Sequence, residues 1–192
     1  MYLVVPRTCE DARVKLEEYI RTIPDYPKPG ILFRDVSTLL GSAPALAAAV
    51  EQLCAPYRDS NGSSKVAFVA GIEARGFTIG GAMAVALGAG FIPIRKAGKL
   101  PAATHSQDYE LEYGTDTLEM HIDAVSHGDS VLLVDDLIAT GGTAAAAVSL
   151  LQRVEANIVA AAFIIDLPDL GGMVRLADLG IETHALLNYP GH

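Results

Sequence analysis

Four short, uninterrupted apolar runs constrain this chain most: VAFVA (66–70), FIPI (91–94), VLLVD (131–135) and IVAAAFII (158–165). None alternates polar with apolar, so each suits a strand covered on both faces. Alanine- and glycine-rich stretches of helical character lie between several of them, at 76–87 and 143–154. Strands alternating with helices predict right-handed crossovers and an α/β fold, with a mostly parallel central sheet flanked by helices. A chain of 192 residues, 51% of them apolar, suits a single domain over 1–192 with a real core. There is no internal repeat to suggest a second unit.

The remaining segments carry weaker signals. Leu16, Tyr19, Ile20 and Ile23 fall at helical spacing, and Pro24 ends that pattern. PDYPKPG (24–30) is turn chemistry. Ser42 is a plausible N-cap for a second helix, with Leu46, Val50, Leu53 and Tyr57 on its buried face. DSNGSSK (59–65) reads as a loop. TLEMHI (117–122) alternates and runs into SHGD, which predicts an exposed hairpin strand. Residues 95–114 mix charges, glycines and a proline without a helical period. Such a stretch in a compact domain reads as a structureless functional lid or a disordered link.

Composition excludes several classes. The net charge is −9 and no Lys/Arg-rich run occurs, which argues against a broad nucleic-acid or anionic-membrane surface. It does not argue against an anionic substrate, because a few placed cations act locally. No apolar segment of about 18 residues is present to span a membrane; 76–94 comes nearest and is broken by glycines and Pro93. The start, MYLVV, has no charged region before it and makes a poor signal peptide. Cys9 and Cys54 have no metal-ligand spacing. A disulfide between them is open, but two thiols in a reducing cytoplasm is the preferred reading. The histidines are scattered, no nucleophilic triad or dyad is legible, and no G-x-G-x-x-G follows the first strand.

The densest chemistry lies in VLLVDDLIATGGT (131–143). A buried strand ends in Asp135 and Asp136, a short loop carries Ala139, Thr140, Gly141, Gly142 and Thr143, and an alanine-rich helix follows. Open α/β sheets bind ligands at the carboxyl ends of their strands. Glycines let N–H groups approach a phosphate, and the helix start adds a favourable partial charge. Two carboxylates beside a phosphate cradle make sense if they hold the hydroxyls of the sugar that bears the phosphate.

This stretch resembles the phosphoribosyl pyrophosphate (PRPP) signature of type I phosphoribosyltransferases. Further segments resemble the adenine phosphoribosyltransferase family in order and spacing: IPDYPKPGILFRDVSTLL (23–40), AGIEARGFTIG (70–80), IRKAGKLP (94–101) and YELEYGTDTLEM (109–120). The resemblance covers roughly 14–189. It implies a type I phosphoribosyltransferase fold with a small N-terminal hood (about 14–40) and a flexible lid (about 95–114). It also implies transfer of the phosphoribosyl group of PRPP to adenine, giving AMP and pyrophosphate in purine salvage.

By that resemblance, Asp135 and Asp136 contact the ribose hydroxyls and residues 139–143 bind the 5′-phosphate. Glu73, Ala74 and Arg75 cradle pyrophosphate, with a cis peptide expected at Glu73–Ala74. The lesser alternative for Arg75 is a surface ion pair. Arg95, Lys96 and Lys99 are either a solvated face or pyrophosphate ligands, with the partner subunit of a homodimer a further source of such cations. Glu112 and Tyr113 occupy lid positions implicated in catalysis, although Glu112 alone reads as a solvent-facing acid. Main-chain groups of Leu32, Phe33 and Arg34 read the base, the Phe33 ring stacks on it and Leu167 packs on its other face; without the resemblance, Leu32 and Phe33 are core residues. Mg²⁺ is expected, carried mainly by PRPP with no direct protein ligand. Two alternatives stay open: a phosphoribosyltransferase for another base, and a PRPP-sensing regulator on the same fold.

Overall fold

The computed structural model describes residues 14–111 and 114–190, so the expectations for Glu112, Tyr113 and Cys9 lie outside the described residues. After a single tight helical turn (Leu16–Tyr19), β1 (Arg21–Pro24) and β2 (Leu32–Asp35) form a separate antiparallel hairpin. Here the structure corrects the expected helix through Ile23. Only its first turn is helical, and the β-branched Thr22 and Ile23 extend to pair with Arg34 and Phe33.

Helices α1 (Ser37–Leu40) and α2 (Ala43–Cys54) follow. The Ser42 side chain caps α2 by accepting from the Ala45 N–H, and Val50 and Leu53 are buried while Leu46 is half-buried. The main sheet is then built from β3 (Phe68–Ile72), helix α3 (Arg75–Leu87), β4 (Gly90–Lys96), β5 (Thr104–Leu111), β6 (Gly114–His121), β7 (Ser130–Ile138), helix α4 (Gly142–Arg153), β8 (Asn157–Asp166), helix α5 (Gly172–Asp178) and β9 (Thr183–Asn188). The strand order is β5-β6-β4-β3-β7-β8-β9. The run β4-β3-β7-β8-β9 is parallel, as the apolar runs predicted.

The direction of winding reverses at β3. The crossover through α3 leads to β4 on one side, while β7 lies on the other and α4 leads away to β8. The two helices therefore cover opposite faces. Ile79 and Met83 of α3 join α2 in one core cluster, and Ala147 to Leu151 of α4 fill the other. A crevice opens at the carboxyl ends of β3 and β7, where such a reversal places ligand sites.

Two further expectations need correction. The stretch 95–114 is not structureless: Arg95 and Lys96 end β4, and 104–111 form β5, paired along its length with β6. Its strand was invisible because its side chains are mostly polar on both faces, as suits an edge strand. Main-chain pairing with β6 orders it, while Tyr109 packs against the core and Arg153 of α4 donates to the Ser106 carbonyl oxygen. Nor is β6 simply exposed, because Leu118 and Met120 point into the core between β5 and β4. Pro93 is tolerated within β4 because β6 pairs only with Arg95 and Lys96, leaving the proline on an unpaired edge.

Candidate active site

The parallel strands deliver their terminal residues to one edge. β3 ends at Ile72 and is followed by Glu73, Ala74 and Arg75; the Glu73–Ala74 peptide is cis. β7 ends in Asp135 to Ile138 and β8 in Asp166. The first turn of α3 sits directly on β7: a Cβ at Gly76 would lie 2.9 Å from Asp135 Oδ1 and from the Val134 carbonyl oxygen. Glycine at 76 is thus what allows the helix start and the strand end to touch.

The paired acids differ in setting. Asp136 is only 3% exposed and accepts a charge-assisted bond from Arg75 Nε at 2.5 Å. Asp136 therefore meets the Arg75 guanidinium rather than open solvent. Burial, reinforced by the neighbouring Asp136 carboxylate, pushes Asp135 well above the ordinary carboxylate range. Its carboxylate also accepts the Asp136 N–H at 2.8 Å. Two acids this close need hydroxyl donors or a cation to carry their charge.

Beyond them, Gly141 takes a left-handed φ of +75° and starts α4 without a side-chain cap. The first N–H groups of a 12-residue helix are thus presented to a cavity of about 210 Å³ lined by Asp135 and residues 137–144. Uncapped helix N–H groups and the helix dipole favour an anion there. Thr140 is exposed, whereas Thr143 is half-buried. The Tyr109 phenol of β5 donates to Asp116 at 3.2 Å, and Asp116 pairs with Lys96 Nζ at 3.0 Å. This link from β5 through β6 to a β4 cation was not legible in the sequence. Its only signal was that β6 required a hairpin partner.

The predicted pyrophosphate cations all lie at this edge, and most have partners. Arg95 Nε donates to Glu73 Oε2 at 3.0 Å and its guanidinium also reaches the Lys99 carbonyl oxygen at 3.1 Å. Glu73 accepts the Lys96 N–H as well. Burial pulls Glu73 upward, but Arg95 and that N–H hold it below the ordinary carboxylate value. Lys99 is exposed. Glu73 therefore holds the Arg95 guanidinium and the Lys96 main chain.

On the hood, Phe33 is half-buried and meets the Tyr26 ring edge-on at 5.2 Å. The Arg34 side chain is fixed by Thr22 Oγ1 at 2.6 Å and by the Tyr189 ring at 4.6 Å. Tyr189 N–H donates to the Asp166 carbonyl oxygen, which ties the hood to the end of β8 beside Leu167. Leu167 is buried in the cluster that contains Leu16 and Val36 of the hood side. Asp35 is held down to about 2 by hydrogen bonds from Ser37 and Arg21. Among the described residues, no three His, Cys, Asp or Glu side chains converge as a metal site.

A crevice at a winding reversal, an uncapped glycine loop starting a helix and paired acids beside it define a phosphoribosyl transferase domain, and the model of that family matches residues 37–180. The adenine phosphoribosyltransferase of Methylobacterium radiotolerans is 59% identical over 179 residues, covering 93% of this chain and 97% of the relative. The crystal structure of adenine phosphoribosyltransferase from Rhodothermus marinus matches with a TM-score of 0.83 and 47% identity, over 91% of this chain and 96% of that one. The Saccharomyces cerevisiae enzyme, solved with an imino-altritol bisphosphate and adenine, matches with a TM-score of 0.84 and 35% identity, over 91% and 98% of the two chains. The chain belongs to the adenine phosphoribosyltransferases.

Proposed function

We propose that this site transfers the 5-phosphoribosyl group from PRPP to adenine, releasing AMP and pyrophosphate, with the residue roles that follow. The observation that carries the reading is the Asp135–Asp136 pair set between an uncapped phosphate loop and the Arg75 loop. The bond from C1′ to the pyrophosphate oxygen breaks, adenine N9 bonds C1′ from the opposite face, and the N9 proton is lost. No protein nucleophile is needed. The site must hold the reactants in line, stabilise the leaving charge and exclude water.

Asp135 and Asp136 accept from the ribose hydroxyls, and the N–H groups of 139–143 hold the 5′-phosphate. Arg75, Arg95, Lys96 and Lys99, with the main chain at Glu73 and Ala74, take the pyrophosphate. Leu32, Phe33, Arg34 and Leu167 form the adenine side. Adjacent acids in a polar crevice fit a magnesium ion carried on substrate oxygens, with Asp135 and Asp136 accepting from its waters. When bound, Mg²⁺ supplies neutralising charge to the departing pyrophosphate. We place the enzyme in the cytoplasm, where the buried Cys54 thiol stays reduced. A steady-state assay with PRPP, Mg²⁺ and a panel of bases tests the reading. AMP formation that needs all three components supports it; no turnover with adenine overturns it.

We also propose a homodimer. Val85 of α3 is 85% exposed, and Phe91 of β4, which packs edge-on against Phe77 of the same helix, is 37% exposed, apolar surface suited to a second copy. Light scattering at micromolar concentration should give about twice the chain mass. A fully active monomer rules it out.

The hairpin over 95–114 is proposed as a lid. Amides of β5 and β6 should gain hydrogen-exchange protection on addition of PRPP and Mg²⁺, because water must be kept from the cationic sugar. Identical protection in both states removes the lid. Glu112→Gln should lower kcat more than it changes KM; an unchanged kcat makes Glu112 a surface residue.

A further inference from the structure

Past β8 the chain turns back along the phosphate loop. Leu167 N–H donates to the Ile138 carbonyl oxygen at 3.0 Å, and the turn Pro168–Leu170 is closed by bonds from Leu170 to Leu167 and from Gly171 to Pro168. This brings Gly172 backbone to backbone with the loop. A Cβ on Gly172 would lie 2.3 Å from the Ala139 carbonyl oxygen, 2.6 Å from Ile138 Cγ1 and 3.0 Å from the Gly141 nitrogen. Reciprocally, a Cβ on Gly141 would lie 2.9 Å from the Gly172 carbonyl oxygen. The neighbouring Gly171 has φ +73° and open space around it, so there the backbone conformation favours glycine. Gly172 has no left-handed φ, so at that position space alone excludes a side chain.

We propose that Gly172 is a positioning residue for the phosphate loop, and that residues 167–172 are a strut between the adenine-side wall and the 5′-phosphate cradle. Its bare Cα seats Ala139 to Gly141 at the height where their N–H groups converge. The inference rests on the assignment of 139–143 to the 5′-phosphate. A methyl at 172 pushes on a main-chain carbonyl, which cannot swing aside as a flexible side chain does. The Leu167 end is untouched by that push.

The test uses the full chain, with AMP binding by calorimetry and KM values for PRPP and for adenine at saturating PRPP. Gly172→Ala should weaken AMP and raise the PRPP KM by about tenfold or more, while the adenine KM stays near wild type. Gly180→Ala, which strains a left-handed glycine remote from the loop with open space around it, should lower Tm but leave AMP affinity unchanged. If Gly172→Ala does not fold, Pro168→Gly loosens the strut at an exposed position and should raise the PRPP KM about threefold. Wild-type AMP affinity in a folded Gly172→Ala variant, or an unchanged PRPP KM in Pro168→Gly, overturns the strut. A wild-type enzyme that binds adenosine as tightly as AMP overturns instead the phosphate assignment beneath it.

Discussion

Replacing Asp135 and Asp136 together by Asn should lower kcat/KM for PRPP by about 10²–10⁴-fold while leaving the protein folded, because each lost charge-assisted hydrogen bond costs roughly 1.5–3 kcal/mol. The two positions contribute differently. Asp135→Asn removes a carboxyl that burial and Asp136 already disfavour as an anion, so the fold loses little. Asp136→Asn orphans the Arg75 guanidinium. The Arg75 side chain is 49% exposed, so water takes over its solvation and the stability cost stays small. A circular-dichroism melt alongside the kinetics separates the two effects. A double variant with wild-type turnover shows that neither acid touches the ribose.

The second large effect is base choice. Adenine offers a donor at N6 and an acceptor at N1, whereas hypoxanthine offers an acceptor at O6 and a donor at N1. A fixed main-chain pair, one C=O and one N–H, therefore accepts one base and leaves both groups unpaired with the other. In the proposed reading the hood supplies such a pair. β2 pairs only with β1, so half of its peptide groups face away from the hairpin. The turn before it is held by Asp25, which accepts the Gly30 N–H at 2.7 Å. The Arg34 side chain is held by Thr22 and by the Tyr189 ring. Polar mismatches of this kind discriminate by about 10⁴–10⁵. We expect kcat/KM for adenine to exceed that for hypoxanthine by a factor of that order. Phe33→Ala should weaken use of adenine by about 1–3 kcal/mol of lost stacking without switching the preference. Comparable turnover of the two bases by the unmodified protein refutes the proposed reading of the base.

The parts legible in the sequence are those encoded over a few consecutive residues. A continuous apolar run needs cover on both faces wherever it goes, so β3, β4, β7 and β8 were readable from VAFVA, FIPI, VLLVD and IVAAAFII. The glycine loop after β7 was readable because glycine's freedom at 141 and the helix start that follows are local properties. The hood and the lid were misread for the opposite reason. Ile20 and Ile23 keep helical spacing with Leu16, yet pairing with Phe33 extends the chain at Ile23. The polar side chains of 104–111 hide a strand whose order comes from β6.

By itself, then, the sequence determined the α/β layering and the strand–glycine loop–helix form of the Asp135–Thr143 stretch, since both follow from neighbours along the chain. Only the tertiary structure decided that Asp136 is buried against Arg75, 61 residues away, that Glu73 gathers Arg95 and Lys96, and that Gly172 must be bare. Each of those depends on a distance between atoms that the chain brings together from separate strands. No local spacing encodes such a distance until the sheet has set its register.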